Sequence, residues 1–161
     1  MVDKETLEET IGECLGLERA AQKAVDELDS KRLLKPEAKK RITGMQKDAN
    51  SHEEKLQKLV EKVMKSEELD SQSIEEHAKE TVEKTSEIMK TYMGDDPDEL
   101  DAMEFLCIAE GGEVAHYEVL LKLAGGVKDK KFATGVRAIL QEEKKHVQLC
   151  IQLAKQAAIK G

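Results

Sequence analysis

Four long stretches of this chain carry an apolar stripe at helical spacing, and each stripe is broken near its middle by a glutamate or a histidine. Apolar residues alternately three and four apart line one face of an α-helix. The first stripe is Leu7, Ile11, Cys14, Glu18, Ala21, Val25 and Leu28; the second is Ile42, Met45, Ala49, His52, Leu56, Leu59 and Val63. The third is Met103, Leu106, Glu110, Glu113, Tyr117, Leu120 and Ala124; the fourth is Val136, Ile139, Glu143, His146, Cys150, Leu153 and Ala157. A carboxylate or imidazolium buried alone is strongly unfavourable. A whole layer of them inside one core therefore needs something to neutralise it. One or two bound dications would do so, with the carboxylates as charge partners and the imidazoles as neutral donors.

Capping and breaking signals divide the chain into the helices that carry these stripes. The first should run from Asp3 or Thr6 to Ser30, and Pro36 suits the first turn of the second, which extends to about Met64. Ser73 followed by Glu76 has capping-box spacing and should open a shorter helix reaching about Tyr92. Asp96 is the expected N-cap of the next, with Pro97 its first residue and Glu99 its third. That helix should end at Ala124, where Gly125–Gly126 stops it, and the last should fill Asp129 to Ile159. Two short connections imply two antiparallel hairpins, joined by a long crossover with its own helix. The expectation is one all-α domain over residues 1–161, an antiparallel four-helix bundle with an extra crossover helix.

Composition agrees and narrows the function. Charged residues make up 37% and aromatics 2%, with no Trp, as long amphipathic helices require and β-rich folds do not. A formal charge of −8 disfavours nucleic acid and anionic lipid as partners and attracts cations. No apolar run approaches the ~20 residues that span a bilayer. The charged N-terminus lacks an apolar signal stretch, and Cys14, Cys107 and Cys150 form neither a CxxC pair nor an even disulfide set. A cytoplasmic location is expected on these grounds.

Glu143 and His146 form a Glu-x-x-His pair, within reach of a single ion on one helix face. Glu110 and Glu113 share a face too, separated by Gly111 and Gly112. Two mid-helix glycines cost about 1 kcal/mol each relative to alanine, so a close helix approach or a local bulge is expected there. Blander readings stand beside these. A register shifted by one residue would put Glu18 and Glu110 on the surface, and His52 and His146 would be satisfied core histidines. A small rotation of the third bundle helix would exchange Glu110 for His116, which otherwise falls beside the stripe. His77 is placed in the crossover helix as a solvated or packing residue. Each cysteine lies three or four residues from a candidate ligand and reads as packing, with thiolate ligation the alternative. Tyr117, one turn from Glu113, reaches the site through its hydroxyl as a catalytic candidate, or else packs the core.

This motif set resembles the ferritin-like di-iron carboxylate proteins, most of all their rubrerythrin branch. Small stress-associated ferritin-like proteins are similar in length and helix layout. The resemblance implies six metal ligands: Glu18 on the first helix, His52 on the second, Glu110 and Glu113 (EGGE) on the third, Glu143 and His146 (EKKH) on the fourth. Glu110 and either Glu18 or Glu143 would bridge two ions, while His52 and His146 would cap one ion each. Two departures stand out. Ala49 occupies the position where a bridging glutamate is expected, with Asp48 beside it pointing about 100° away around the helix. There are also no rubredoxin-like cysteine pairs.

The implied function is that of a peroxidase- or ferroxidase-type oxidoreductase holding two iron ions per chain, with manganese or zinc as alternatives. It would react with peroxide or dioxygen, draw on an external electron donor, and serve oxidative-stress defence or iron handling. With Ala49, one ion would be weakly held, giving an asymmetric or mononuclear site. From another class comes a ferritin-like scaffold whose metal site is degenerate, acting as a structural or stress-linked interaction protein. A homodimer is the expected assembly. Iron storage in a cage is less well suited, because no apolar fifth helix follows the bundle.

Overall fold

The structure, a computed structural model, describes residues 1–160. Five helices account for nearly all of them: α1 (Lys4–Ser30), α2 (Pro36–Val63), α3 (Ser71–Met93), α4 (Glu99–Ala124) and α5 (Lys130–Lys160). Among the described residues there is no strand, and no helix is long and apolar enough to cross a membrane. The fold is all-α. Helices α1, α2, α5 and α4 form a four-sided bundle in that order around the square, and α3 lies outside it along α1.

Pairs of contacts fix the directions. His52 of α2 meets Glu142 and Glu143 of α5, while Asp48 meets His146 further along, so α2 and α5 run antiparallel. Helix α3 runs parallel to α1: Gly12 faces Ile74, His77 and Ala78, and Gly16 faces Ala78 and Thr81. All four stripes turn inward as their spacing predicts, except that Leu59 is only half-buried and Val60 takes the core position. The seam of α2 drifts by one residue there, as a straight helix does against a 3.5-residue repeat.

Two helix starts differ from the sequence expectation. Helix α3 is capped by Asp70, whose carboxylate accepts from the Gln72 amide, rather than by Ser73. Glu8 of α1, itself buried, accepts from the Asp70 amide at 2.7 Å and so anchors this cap. Helix α4 is capped by Asp98 in a reciprocal box with Asp101, and Pro97 lies just outside it; Asp96 plays no part. In both segments several Asp and Ser residues compete for the cap, and tertiary contacts decide between them.

The close approach of α3 depends on α1 glycines. A Cβ at Gly16 would lie 2.6 Å from the Ala78 carbonyl and 2.6 Å from the Thr81 Cβ. Arg19 reinforces the junction, bonding Glu53 of α2 at 2.8 Å and Glu75 of α3 at 2.7 Å. Gly44 on α2 has nothing within 4 Å of its Cβ position. Gly16→Ala therefore costs about 1–3 kcal/mol by overpacking, whereas Gly44→Ala gains about 0.5–1 kcal/mol from helix propensity. Thermal melts of the two variants should shift in opposite directions; equal shifts would mean that α3 is not seated on α1 as described.

Two apolar clusters fill the interior. One gathers Leu7, Ile11, Leu56, Tyr117, Leu120 and Val136 at one end of the bundle. The other gathers Val25, Leu28, Ile42, Met103, Leu106 and Leu153 at the opposite end. Between them lies a layer of polar side chains.

Candidate metal centre

The helices of the bundle bring the six predicted site residues into that layer. Glu18 and His52 and Glu143 are 0% exposed, Glu110 1%, Glu113 2% and His146 6%. The register of the third bundle helix is thereby settled. His116 turns away, its Nδ1 donating to the Gly112 carbonyl and its Nε2 lying 3.5 Å from Glu13. Cys14 and Cys150 are buried packing residues, the Cys150 thiol contacting the Met45 sulfur at 3.7 Å.

Glu143 is the hub. Its Oε1 lies 2.6 Å from His52 Nδ1 and its Oε2 3.3 Å from His146 Nδ1. Around it stand two groups of side chains, Glu18–His52–Glu143 and Glu110–Glu143–His146. Within each, one ligand atom per residue falls within 4.8 Å of the others. Glu18 Oε2 is 3.3 Å from His52 Nδ1, and Glu110 Oε2 is 3.6 Å from His146 Nδ1. The two imidazoles stack at 5.7 Å between centroids. Glu113 belongs to neither group and sits beside Glu110.

Each histidine is also held from behind. His52 Nε2 pairs with Glu142 of α5, and His146 Nε2 pairs with Asp48 of α2 at 3.0 Å. With Nε2 occupied by an outer carboxylate, each ring is fixed with Nδ1 facing the layer, the arrangement that orients a metal-ligating imidazole. Sequence reasoning missed Glu142 and saw Asp48 only as a poor substitute for Ala49. A signal was present: each of these acids precedes a histidine by four residues, although it serves the histidine of the opposite helix.

Ala49 is buried, so α2 contributes no carboxylate to the layer. The layer still holds four carboxylates and two imidazoles, because α4 supplies two of the acids, Glu110 and Glu113. The glycines between that pair do not serve the site. Helix α4 runs unbroken through Gly111 and Gly112, and a Cβ at either would meet nothing within 4 Å, so the expected bulge or close approach is absent.

Electrostatics show what the layer lacks. Burial alone would lower the imidazole pKa values, but hydrogen bonds with Glu143 and Glu18 carry His52 up to about 10. Those with Glu110 and Glu143 carry His146 up to about 11. Burial pushes the carboxyls of Glu18, Glu110 and Glu113 above their ordinary range. Burial would also raise Glu143, but hydrogen bonds with His146 and His52 hold it well below that range. Apart from these contacts with the imidazoles, oxygens of Glu18, Glu110, Glu113 and Glu143, and the Tyr117 hydroxyl, are buried without a hydrogen-bond partner among the described residues. Native interiors leave few such atoms unsatisfied. Carboxylate oxygens and imidazole nitrogens in this number fit a hard or borderline dication, and four carboxylates match the charge of two.

Fold and site together define an all-helical bundle with a buried layer of carboxylates and imidazoles able to hold metal ions. The chain belongs to the family described as Domain of unknown function (DUF892), whose model matches residues 3–160. No curated protein and no solved structure matches it.

Proposed function

We propose that this protein is a ferritin-like, non-haem di-iron oxidoreductase that reduces peroxide or dioxygen. The observation that carries the reading is Glu143, shared by two ligand groups that each end in an imidazole backed by an outer carboxylate. Glu18 and His52 would hold one ion and Glu110 and His146 the other, with Glu143 common to both groups. Glu113, the remaining buried carboxylate, lies outside both groups. Of the bridges that the resemblance implies, Glu110 with either Glu18 or Glu143, this reading keeps Glu143 alone. Iron fits the donor set, as manganese and zinc also do.

Two iron(II) ions held by these residues would supply one electron each, the two electrons that turn hydrogen peroxide and two protons into two waters. The chain's own groups govern protons and access. Asp48 and Glu142 keep both imidazoles aimed at the ions. Tyr117 is buried at 0% exposure, and that burial, with Glu18 nearby, pushes its phenol pKa up. Its hydroxyl has no partner, so Tyr117 would hold a proton at Oη inside the site, available for the reduction of peroxide. The apolar clusters on either side keep bulk water from the layer. Re-reduction of the ions falls to an external donor, since the chain has no cysteine pairs for a second metal module.

The test is metal analysis of untagged protein, then anaerobic iron(II) titration and a stoichiometric pulse of peroxide. Two ions per chain, with near-ultraviolet absorbance growing on oxidation, is the expected result. Tyr117→Phe should keep both ions and slow the peroxide step about 10²–10⁴-fold, the scale of a positioned proton donor. One ion per chain would reduce the site to a mononuclear one. No binding, and no thermal stabilisation by iron, manganese or zinc, would leave a scaffold with a degenerate site.

A further inference from the structure

Helix α4 has an outer face that the rest of the chain leaves bare. Ile108 is 49% exposed and Val119 53%, and Ala115 between them is exposed as well. At about 100° per residue these three fall within some 40° of one another around the helix. Gly111 and Gly112 flank the same line, with open space where a side chain would be. Two glycines in a helix interior lower its propensity, and nothing inside the chain uses the room they leave. The line is capped at both ends by charge. Glu104 begins it and the exposed Lys122 closes it, about 27 Å apart at 1.5 Å per residue.

The order of these residues is self-complementary in one direction only. Laid antiparallel against a second copy of itself about a twofold axis between Glu113 and Val114, the stripe sets Ile108 against Val119. It sets Gly112 against Ala115, and Glu104 beside Lys122, at both ends. Parallel pairing would instead place Glu104 against Glu104 and Lys122 against Lys122. Glu104 is pre-positioned for this role, since Tyr92 donates to its Oε2 at 2.8 Å and leaves Oε1 free. The neighbouring flank is already satisfied, with Lys144 paired to Glu118 of the same chain at 2.9 Å.

We infer that the outer face of α4, from Glu104 to Lys122, is an isologous dimer interface that packs antiparallel against α4 of a second copy. Small residues at the centre let the helices approach closely. The aliphatic pairs supply the apolar contact, and the end charges fix the orientation. The proposal does not depend on metal at the centre, and the ligands point to the opposite side of α4.

The test is sedimentation velocity over a concentration series, with circular-dichroism melts at high dilution to show that each variant folds. Wild-type protein should dimerise. Ala115→Arg, on an exposed position, should give a monomer with an unchanged melt. Glu104→Lys and Lys122→Glu should each weaken the dimer about tenfold, because the twofold axis counts every change twice. The double variant E104K/K122E should restore it. A wild-type monomer at every concentration, a dimer indifferent to Ala115→Arg, or a double variant no better than the singles would overturn the proposal.

Discussion

Glu143→Gln is expected to abolish binding of both proposed ions, while Glu18→Gln or Glu110→Gln should each cost one. The asymmetry follows from position. Among the described residues Glu143 alone is common to the two ligand groups, with one oxygen toward each imidazole. An amide keeps the shape but gives up the charge and one acceptor oxygen. The affinity of both ions should fall at least about a hundredfold, since loss of even outer-shell partners costs 10–100-fold. The ion-free protein suffers too. His52 and His146 are protonated there and lean on Glu143, and stranding buried charges costs about 3–5 kcal/mol. Elemental analysis and melting of the ion-free variants separate the two effects. If E143Q retains two ions per chain, the shared-ligand geometry is wrong, whatever happens to stability.

Metal binding expels protons, and this sets opposite pH responses for the loaded and ion-free protein. Without metal, His52 and His146 hold protons up to about 10 and 11, well above the ordinary histidine value of about 6.5. Groups raised in this way add stability that is complete below their unfolded pKa and is lost as pH rises through the folded one. The raised carboxyls of Glu18, Glu110 and Glu113 act in the same sense, the ion-free fold weakening as pH climbs past the ordinary carboxylate range. Only Glu143 opposes them, its contribution being lost as pH falls. Ligation needs every one of these groups deprotonated, so ion affinity rises with pH. Calorimetric titration in buffers of different protonation enthalpy should show more than one proton released per chain. At a hundredfold excess over the dissociation constant, an ion adds about 2.7 kcal/mol, or roughly 5–10 °C in Tm for a chain of this size. That gap should widen from pH 6.5 upward. A gap that narrows, or binding without proton release, would show that the layer is not held protonated in the absence of metal.

How much of this was legible in the sequence depends on range. The stripes were readable because burial repeats with the turn of the helix, and they carried His52, Glu143 and His146 inward, while Glu18 stayed open to a one-residue shift of register. Glu110 against His116 was open, since Gly111 and Gly112 give no apolar anchor to fix the rotation of α4. The structure resolves it through Phe105, Leu106 and Tyr117, which can face the core together only with Glu110 inside. Glu142 and Asp48 were hidden for another reason. Their contacts depend on how far α5 slides along α2, and axial offset leaves no trace in either helix's own periodicity. The caps at Asp70 and Asp98 were missed because a turn's hydrogen bonds are chosen among near-equivalent acids by what packs over them.

The separation of the interior into two apolar clusters has a consequence for how the molecule breathes. A continuous core transmits cooperativity from end to end, but here five helices cross a polar waist between two oily half-cores. In the ion-free protein the waist is the weakest link, and each half can open with some independence of the other. Ions ligated from α1, α2, α4 and α5 at once would rivet the halves together, so that loading would change how many pieces the protein unfolds in, as well as how firmly each is held.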